Sequence, residues 1–138
     1  MKILRIIVLN TMFASSLSFS YQKELMEIIK NEQCAPCEGG VQPLLQGEIY
    51  FLLNDFSEWK LIEEHPQKIE RTFILKDFIQ AMHFVNAIAK VAEREGHHPD
   101  IYIFYNKVTI QLYTHAIEGL SANDFILAGL IDEIFLQS

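Results

Sequence analysis

Basic residues are scarce in this chain. Lys and Arg number 11 against 18 Asp and Glu, a formal net charge of −7. Phosphate neutralisation needs a basic face, so the balance argues against a nucleic-acid binder and against a polybasic membrane patch. Cysteine is nearly absent: Cys34 and Cys37 are the only two. A single pair builds no disulfide scaffold and cannot fill a four-ligand zinc site. No uninterrupted apolar run approaches the about 20 residues that a bilayer span requires. Internal repeats are lacking too, and there is no low-complexity segment beyond the N-terminus.

What is present is core-forming material. The 138 residues are 50% hydrophobic and 21% charged, which suits one domain with a real core and excludes a disordered or fibrous chain. Residues 1–20 differ in character from the rest. Lys2 and Arg5 precede the apolar stretch 6–9, and Ser and Ala crowd residues 14–20. That is the outline of a secretory signal, interrupted by Asn10 and Thr11. A poorly ordered tail, or a start assigned too early with Met12 or Met26 as the first residue, would account for it as well.

Residues 21–46 read as an irregular arm. A short helical stretch at 24–30 is followed by Cys34-x-x-Cys37-x-Gly39-Gly40 and Pro43. Residues 47–138 read as the catalytic domain. Ile49, Leu52, Leu53 and Phe56 have helical spacing. Two strands, 59–62 and 69–75, flank a turn at Glu64-His65-Pro66-Gln67. Asp77 opens a helix that Gly96 ends, with Phe78, Ala81, Met82, Val85, Ile88, Ala89 and Ala92 on one stripe. A second hairpin pairs 101–105 with 108–113 around Asn106-Lys107; Val108, Ile110 and Leu112 alternate with Thr109, Gln111 and Tyr113. Ser121-x-x-Asp124 opens the last helix as a capping box. The order α-β-β-α-β-β-α predicts an α+β fold: a four-stranded antiparallel sheet with about three helices on one face and the other face open.

The chemistry collects at Glu93-x-x-x-His97-His98-Pro99. Proline extends the residue before it, so the two rings should point apart. If the hairpin pairs as read, His115 returns beside them and Asp124 follows at a helix start. Imidazole titrates near neutrality, so such a group suits proton transfer. Each residue also has a simpler role: His97 at a helix C-terminus, His115 in a loop, Asp124 as a cap, Glu93 in water. A metal reading finds no helical i,i+4 His pair or cysteine to support it. Cys34-x-x-Cys37 has redox or zinc spacing without a second pair, and His65 and His83 carry no pattern. Trp59 suits a core or pocket wall.

The run Glu93-Arg-Glu-Gly-His97-His98-Pro99-Asp100, then Tyr105-Asn106-Lys107-Val108, Thr114-His115 and Gly119-Leu120-Ser121-x-x-Asp124, closely resembles the pterin-4a-carbinolamine dehydratases. Cys34-x-x-Cys37-x-Gly-Gly, Trp59 and Lys76-Asp77-Phe78 resemble bacterial members, and the likeness spans about residues 34–136. It implies a hydro-lyase that converts 4a-hydroxytetrahydropterin to quinonoid dihydropterin and water, with no metal or organic cofactor. His97, His98 and His115 would be catalytic, with Glu93 and Asp124 supporting them, and Pro99, Asp100, Trp59 and Tyr102 would touch substrate. His98 would contact the pterin and exchange protons, while His97 and His115 would act as acids on the hydroxyl. One departure stands out: Ile101 lies where some members, animal ones included, carry tryptophan. Stacking there would fall to Tyr102 or Trp59.

The resemblance also implies a homodimer or homotetramer, an aromatic amino acid hydroxylase as functional partner, and no nucleic acid or membrane partner. It places the activity in the cytoplasm, which favours the late start for residues 1–20; export follows if they are a genuine signal. The alternative is a non-catalytic pterin-binding or dimerisation module of the same fold. A third possibility is a divergent enzyme acting on another heterocycle.

Overall fold

The computed structural model describes residues 17–31, 33–36 and 40–138. The signal-like stretch 6–9, Met12 and Cys37 lie outside the described residues. The described chain runs α1 (Phe19–Asn31), α2 (Gln46–Asp55), β1 (Lys60–Ile62), β2 (Lys68–Ile74), α3 (Phe78–Glu95), β3 (Asp100–Phe104), β4 (Lys107–Leu112) and α4 (Ala122–Leu136), with a 3-10 turn at His115–Ile117 before α4. The strands form one antiparallel sheet in the order β1-β2-β4-β3. The α+β fold with its four-stranded antiparallel sheet is thus as the sequence predicts.

The sheet sorts its side chains by alternation. Ile69 and Phe73 of β2 and Val108, Ile110 and Leu112 of β4 face the helices and are buried. On the opposite face lie Glu70, Thr72, Thr109 and Gln111, joined by Thr72–Thr109 and Gln111–Glu70 hydrogen bonds at 2.8 and 2.5 Å. Phe73 is the centre of the aromatic core, with ring centroids of Trp59, Phe84 and Phe135 at 6.0, 5.0 and 5.0 Å.

Helix α4 is apolar on nearly every side, with Phe125, Ile126, Leu127, Ala128 and Ile131 all buried. It can be so because α1 and α3 both pack on it. Helix α3 has the caps the sequence signals. The Asp77 carboxylate accepts from the Gln80 N–H at 2.8 Å, and Gly96 ends the helix at φ +65°.

Three details differ from the sequence reading. Helix α1 is longer than the expected stretch, because Leu25 and Ile29, one turn apart, anchor it in the core. The buried stripe of α3 is Ala81, Phe84, Ile88 and Ala92; Phe84 fills the space beside Phe73, while Phe78 stays exposed. The β3–β4 turn is Tyr105-Asn106, one residue earlier than expected. Asn106 is held by Leu75, donating to its carbonyl at 2.9 Å and accepting from its N–H at 2.8 Å. Tyr105 then takes the positive φ, +55°, that a two-residue turn demands.

Asp132 of α4 accepts from Trp59 Nε1 at 3.0 Å and from Arg71 at 2.8 Å. Burial still pushes its carboxyl above the ordinary value, against the lowering by Trp59 and Arg71. The native chain therefore binds this proton more tightly than the unfolded chain. The contribution of the group to stability is full in acid and is lost as pH rises through the raised value. The stability of wild type relative to Asp132→Asn should accordingly decline between acid and neutral pH, as read by urea midpoints across that range; a constant difference would refute it. Phe73→Ala should cost about 3–5 kcal/mol in the same unfolding experiment, since the ring cannot be replaced by collapse of three aromatic neighbours.

Candidate active site

The end of α3 and the end of β4 meet at one edge of the sheet. Gly96 stops α3, and His97, His98 and Pro99 lead directly into β3. Continuing the β3–β4 ladder beyond Asp100↔Gln111 brings the two histidines alongside Tyr113 and Thr114. The extended backbone before Pro99 turns the rings apart. His97 goes inward and is 4% exposed; His98 goes outward and is 59% exposed.

Each ring meets its own carboxylate. His97 Nε2 lies 2.7 Å from Asp124 Oδ1, and His98 Nε2 lies 2.8 Å from Glu93 Oε1. Asp124 has no exposed surface and accepts from three groups. Besides His97, the Thr114 hydroxyl donates to Oδ2 at 2.9 Å and the Ser121 N–H donates to it at 2.8 Å. Since the Thr114 proton is used this way, the Ser121 hydroxyl donates in turn to Thr114 Oγ1 at 2.8 Å. One carboxylate thus caps α4 through one oxygen and orients His97 through the other. The capping and functional readings of Asp124 describe the same side chain.

His115 opens the 3-10 turn, which the Thr114–Gly119 bridge closes. Its ring is exposed and stacks, tilted, on Tyr113 at 4.1 Å between centroids. Lys68 Nζ lies 5.3 Å from the Tyr113 ring. Desolvation, then the neighbouring Asp100, Tyr102 and Glu118, push the Tyr113 phenol upward. Asp100 and Tyr102 pair with Gln111 and Thr109, so they share the open sheet face on which Tyr113 carries the His115 ring. The structure collects a buried imidazole–carboxylate pair, an exposed one, and a third exposed imidazole, the equipment of an acid–base catalyst.

Of the residues the sequence singles out, His97, His98, His115, Glu93, Asp124, Pro99 and Asp100 gather at this sheet end, and Tyr102 lies next to them along β3. Trp59 does not. It is 3% exposed, packs on Phe73 and donates to Asp132, two turns beyond Asp124 along α4 and roughly 12 Å away at 1.5 Å per residue. The expectation that it touches substrate is corrected: its place before β1, on the sheet edge opposite β3, makes it a core residue. The sequence reading assigned no role to Thr114, Ser121 as a donor, Tyr113 or Asn123. Thr114 and Ser121 carry a signal in hindsight, since a hydroxyl on either side of a buried carboxylate supplies donors for it.

The fold and the site define a structural class, an α+β protein with a four-stranded antiparallel sheet and two histidine–carboxylate pairs at one sheet end. The family model for pterin 4 alpha carbinolamine dehydratase matches residues 42–134. A Nitrosospira multiformis protein named as a pterin-4-alpha-carbinolamine dehydratase is 45% identical over 107 residues, covering 78% of this chain and 92% of its own. One of the same name from Nitrosomonas europaea is 46% identical over 108 residues, covering 78% and 93%. The chain belongs to the pterin-4-alpha-carbinolamine dehydratase family, whose members are hydro-lyases. In solved structures, a Brucella melitensis transcriptional coactivator/pterin dehydratase superposes with a TM-score of 0.64 at 30% identity, covering 67% of this chain and 98% of that one. A pterin dehydratase-like RuBisCO assembly factor of the alpha-carboxysome, 22% identical with a TM-score of 0.50, shares the fold over 56% of this chain and 89% of its own. No helix among the described residues is long and apolar enough to cross a membrane.

Thr114→Val keeps the side-chain shape and removes the hydroxyl. It leaves both the Ser121 hydroxyl and an Asp124 oxygen one partner short. A loss of about 1–3 kcal/mol in urea unfolding, with far-UV circular dichroism unchanged, is the expected result. Wild-type stability in this variant would mean that the hydroxyl ladder carries no weight.

Proposed function

We propose that this chain dehydrates 4a-hydroxytetrahydropterin to quinonoid dihydropterin by histidine acid–base catalysis. The observation that carries the reading is the pairing of one buried and one exposed imidazole with separate carboxylates, beside a third imidazole, at a single sheet end. The reaction breaks the C4a–O bond and removes the proton on N5. The N5 lone pair forms the C4a–N5 double bond as the hydroxyl leaves, an acid gives the departing oxygen its proton, and a base takes the proton from N5. Oxidation states do not change overall, and water is the only co-product.

His98, the exposed ring, is the residue for pterin contact and for accepting the N5 proton. His115 protonates the hydroxyl from the surface side, and His97 does so from the floor of the site. His97 Nε2 faces Asp124 and His98 Nε2 faces Glu93, so the proton exchange of His98 with substrate runs through its Nδ1. Pro99 and Asp100 shape the mouth, and Tyr102, on the open face, supplies the aromatic surface that Ile101 lacks. The substrate arises from an aromatic amino acid hydroxylase and the product returns through a reductase, which places the protein in the cytoplasm. The free edge of β3 and the exposed Tyr102 and Phe104 beside it support a homodimer or homotetramer.

A second reading, a regulatory or assembly module, draws on the fold shared with the RuBisCO assembly factor. A coupled assay separates the two. Phenylalanine hydroxylase generates the carbinolamine, and its decay is followed by absorbance with wild type and with His98→Ala. Wild type should accelerate decay, and the variant should lose about 10²–10⁴-fold of that acceleration. Decay at the spontaneous rate with folded wild-type protein would overturn the enzymatic reading in favour of the module.

A further inference from the structure

The arm preceding α2 reaches the site from outside the sheet-and-helix framework. Among its described residues, Cys34 donates its N–H to Glu95 Oε2 at 3.1 Å, and Cys34 Sγ lies 3.7 Å from the Asn123 carbonyl oxygen. Ala35 is gripped more tightly. Its N–H donates to Asn123 Oδ1 at 2.8 Å, and Asn123 Nδ2 donates to its carbonyl at 2.7 Å. An asparagine amide thus pairs with the backbone N–H and C=O of one residue, as a neighbouring strand would.

The two anchors have meaningful positions. Glu95 stands two residues before His97, at the end of α3, and its side chain is 4% exposed. Asn123 stands next to Asp124 in the first turn of α4 and is 2% exposed. The arm therefore ties together the two helix ends whose side chains make the 2.7 Å His97–Asp124 contact. The cap of α4 does not require the Asn123 side chain, because it is the backbone N–H of Asn123 that bonds to Ser121 Oγ, at 3.3 Å. Its amide bonds the arm, and a carboxamide carries both the acceptor and the donor that the N–H and C=O of one residue require.

We propose that residues 34–35, clamped by Asn123 and Glu95, act as a strut that holds His97 against Asp124 for proton transfer, with Asn123 and Glu95 as positioning residues. A third connection between α3 and α4 limits their relative movement, and misplacement of a reacting group by about 1 Å can cost about 100-fold in rate. The sequence reading set this arm outside the catalytic domain; the strut makes it part of the working site. The proposal rests on the acid–base role given to His97.

The experiment uses the full chain with Asn123→Ala, which cuts both bonds to Ala35, and Ala35→Pro, which removes the arm N–H without touching either helix. Glu95→Gln keeps an oxygen acceptor for Cys34 and is the conservative control. Three quantities are read: kcat and KM in the coupled assay, exchange of the His97 ring proton with solvent by NMR, and the melting temperature. The strut predicts a fall in kcat of about 10- to 100-fold in Asn123→Ala and Ala35→Pro, with KM within about threefold and with faster exchange of the His97 proton. Glu95→Gln should stay near wild type. An arm that merely stabilises the fold would lower the melting temperature and leave kcat and the His97 proton as in wild type, and that result overturns the proposal. So does an unchanged kcat with faster exchange. If wild type itself shows no dehydratase activity, the acid–base reading falls separately, and the His97 proton alone decides: faster exchange in both variants upholds the strut, and unchanged exchange refutes it.

Discussion

A single buried carboxylate holds this site together. Asp124 has no contact with solvent, and an ion so placed is tolerated only when its lone pairs are met. Three donors from three parts of the chain meet them: His97 after α3, Thr114 after β4, and the Ser121 backbone at the head of α4. None of these parts could move independently without leaving a buried oxygen short of a partner. The capping requirement of a helix and the orientation of the His97 ring are met by the same group.

Around this carboxylate the fold creates two contrasting environments for adjacent histidines. Pro99 sends His97 inward to a dry carboxylate and His98 outward to a wet one. Low dielectric strengthens the buried pair, while solvent screens the exposed pair and lets its ring exchange protons freely. The open sheet face supplies the remaining surface, where Tyr113 supports His115 from below.

Much of the fold was legible. Strand alternation in β4 identified Val108, Ile110 and Leu112 as inward, and the caps at Asp77, Gly96 and Ser121 located helix ends, because these signals are local. The histidine–carboxylate set was legible as a spacing pattern and through its family resemblance. The substrate contact implied for Trp59 gave way to its place in the core, because its indole partner, Asp132, is 73 residues away in sequence. The position of the β3–β4 turn depended on Leu75, a residue in another hairpin. The length of α1 and the burial of Phe84 rather than Phe78 likewise depended on what packs opposite them.

The amino-acid sequence by itself determined the order of elements, the inward and outward faces of the strands, the divergence of His97 and His98 ahead of Pro99, and the residue types available for proton transfer. Each follows from backbone preference or periodicity within a few residues. Only the tertiary structure decided which carboxylate serves which histidine, that Asp124 answers to three donors, that Trp59 belongs to the core, and that the arm grips Asn123. Those outcomes depend on distance between residues far apart in the chain. Packing of α1 and α3 against α4, and pairing of the strands, bring such residues within hydrogen-bond reach, and no local preference specifies them.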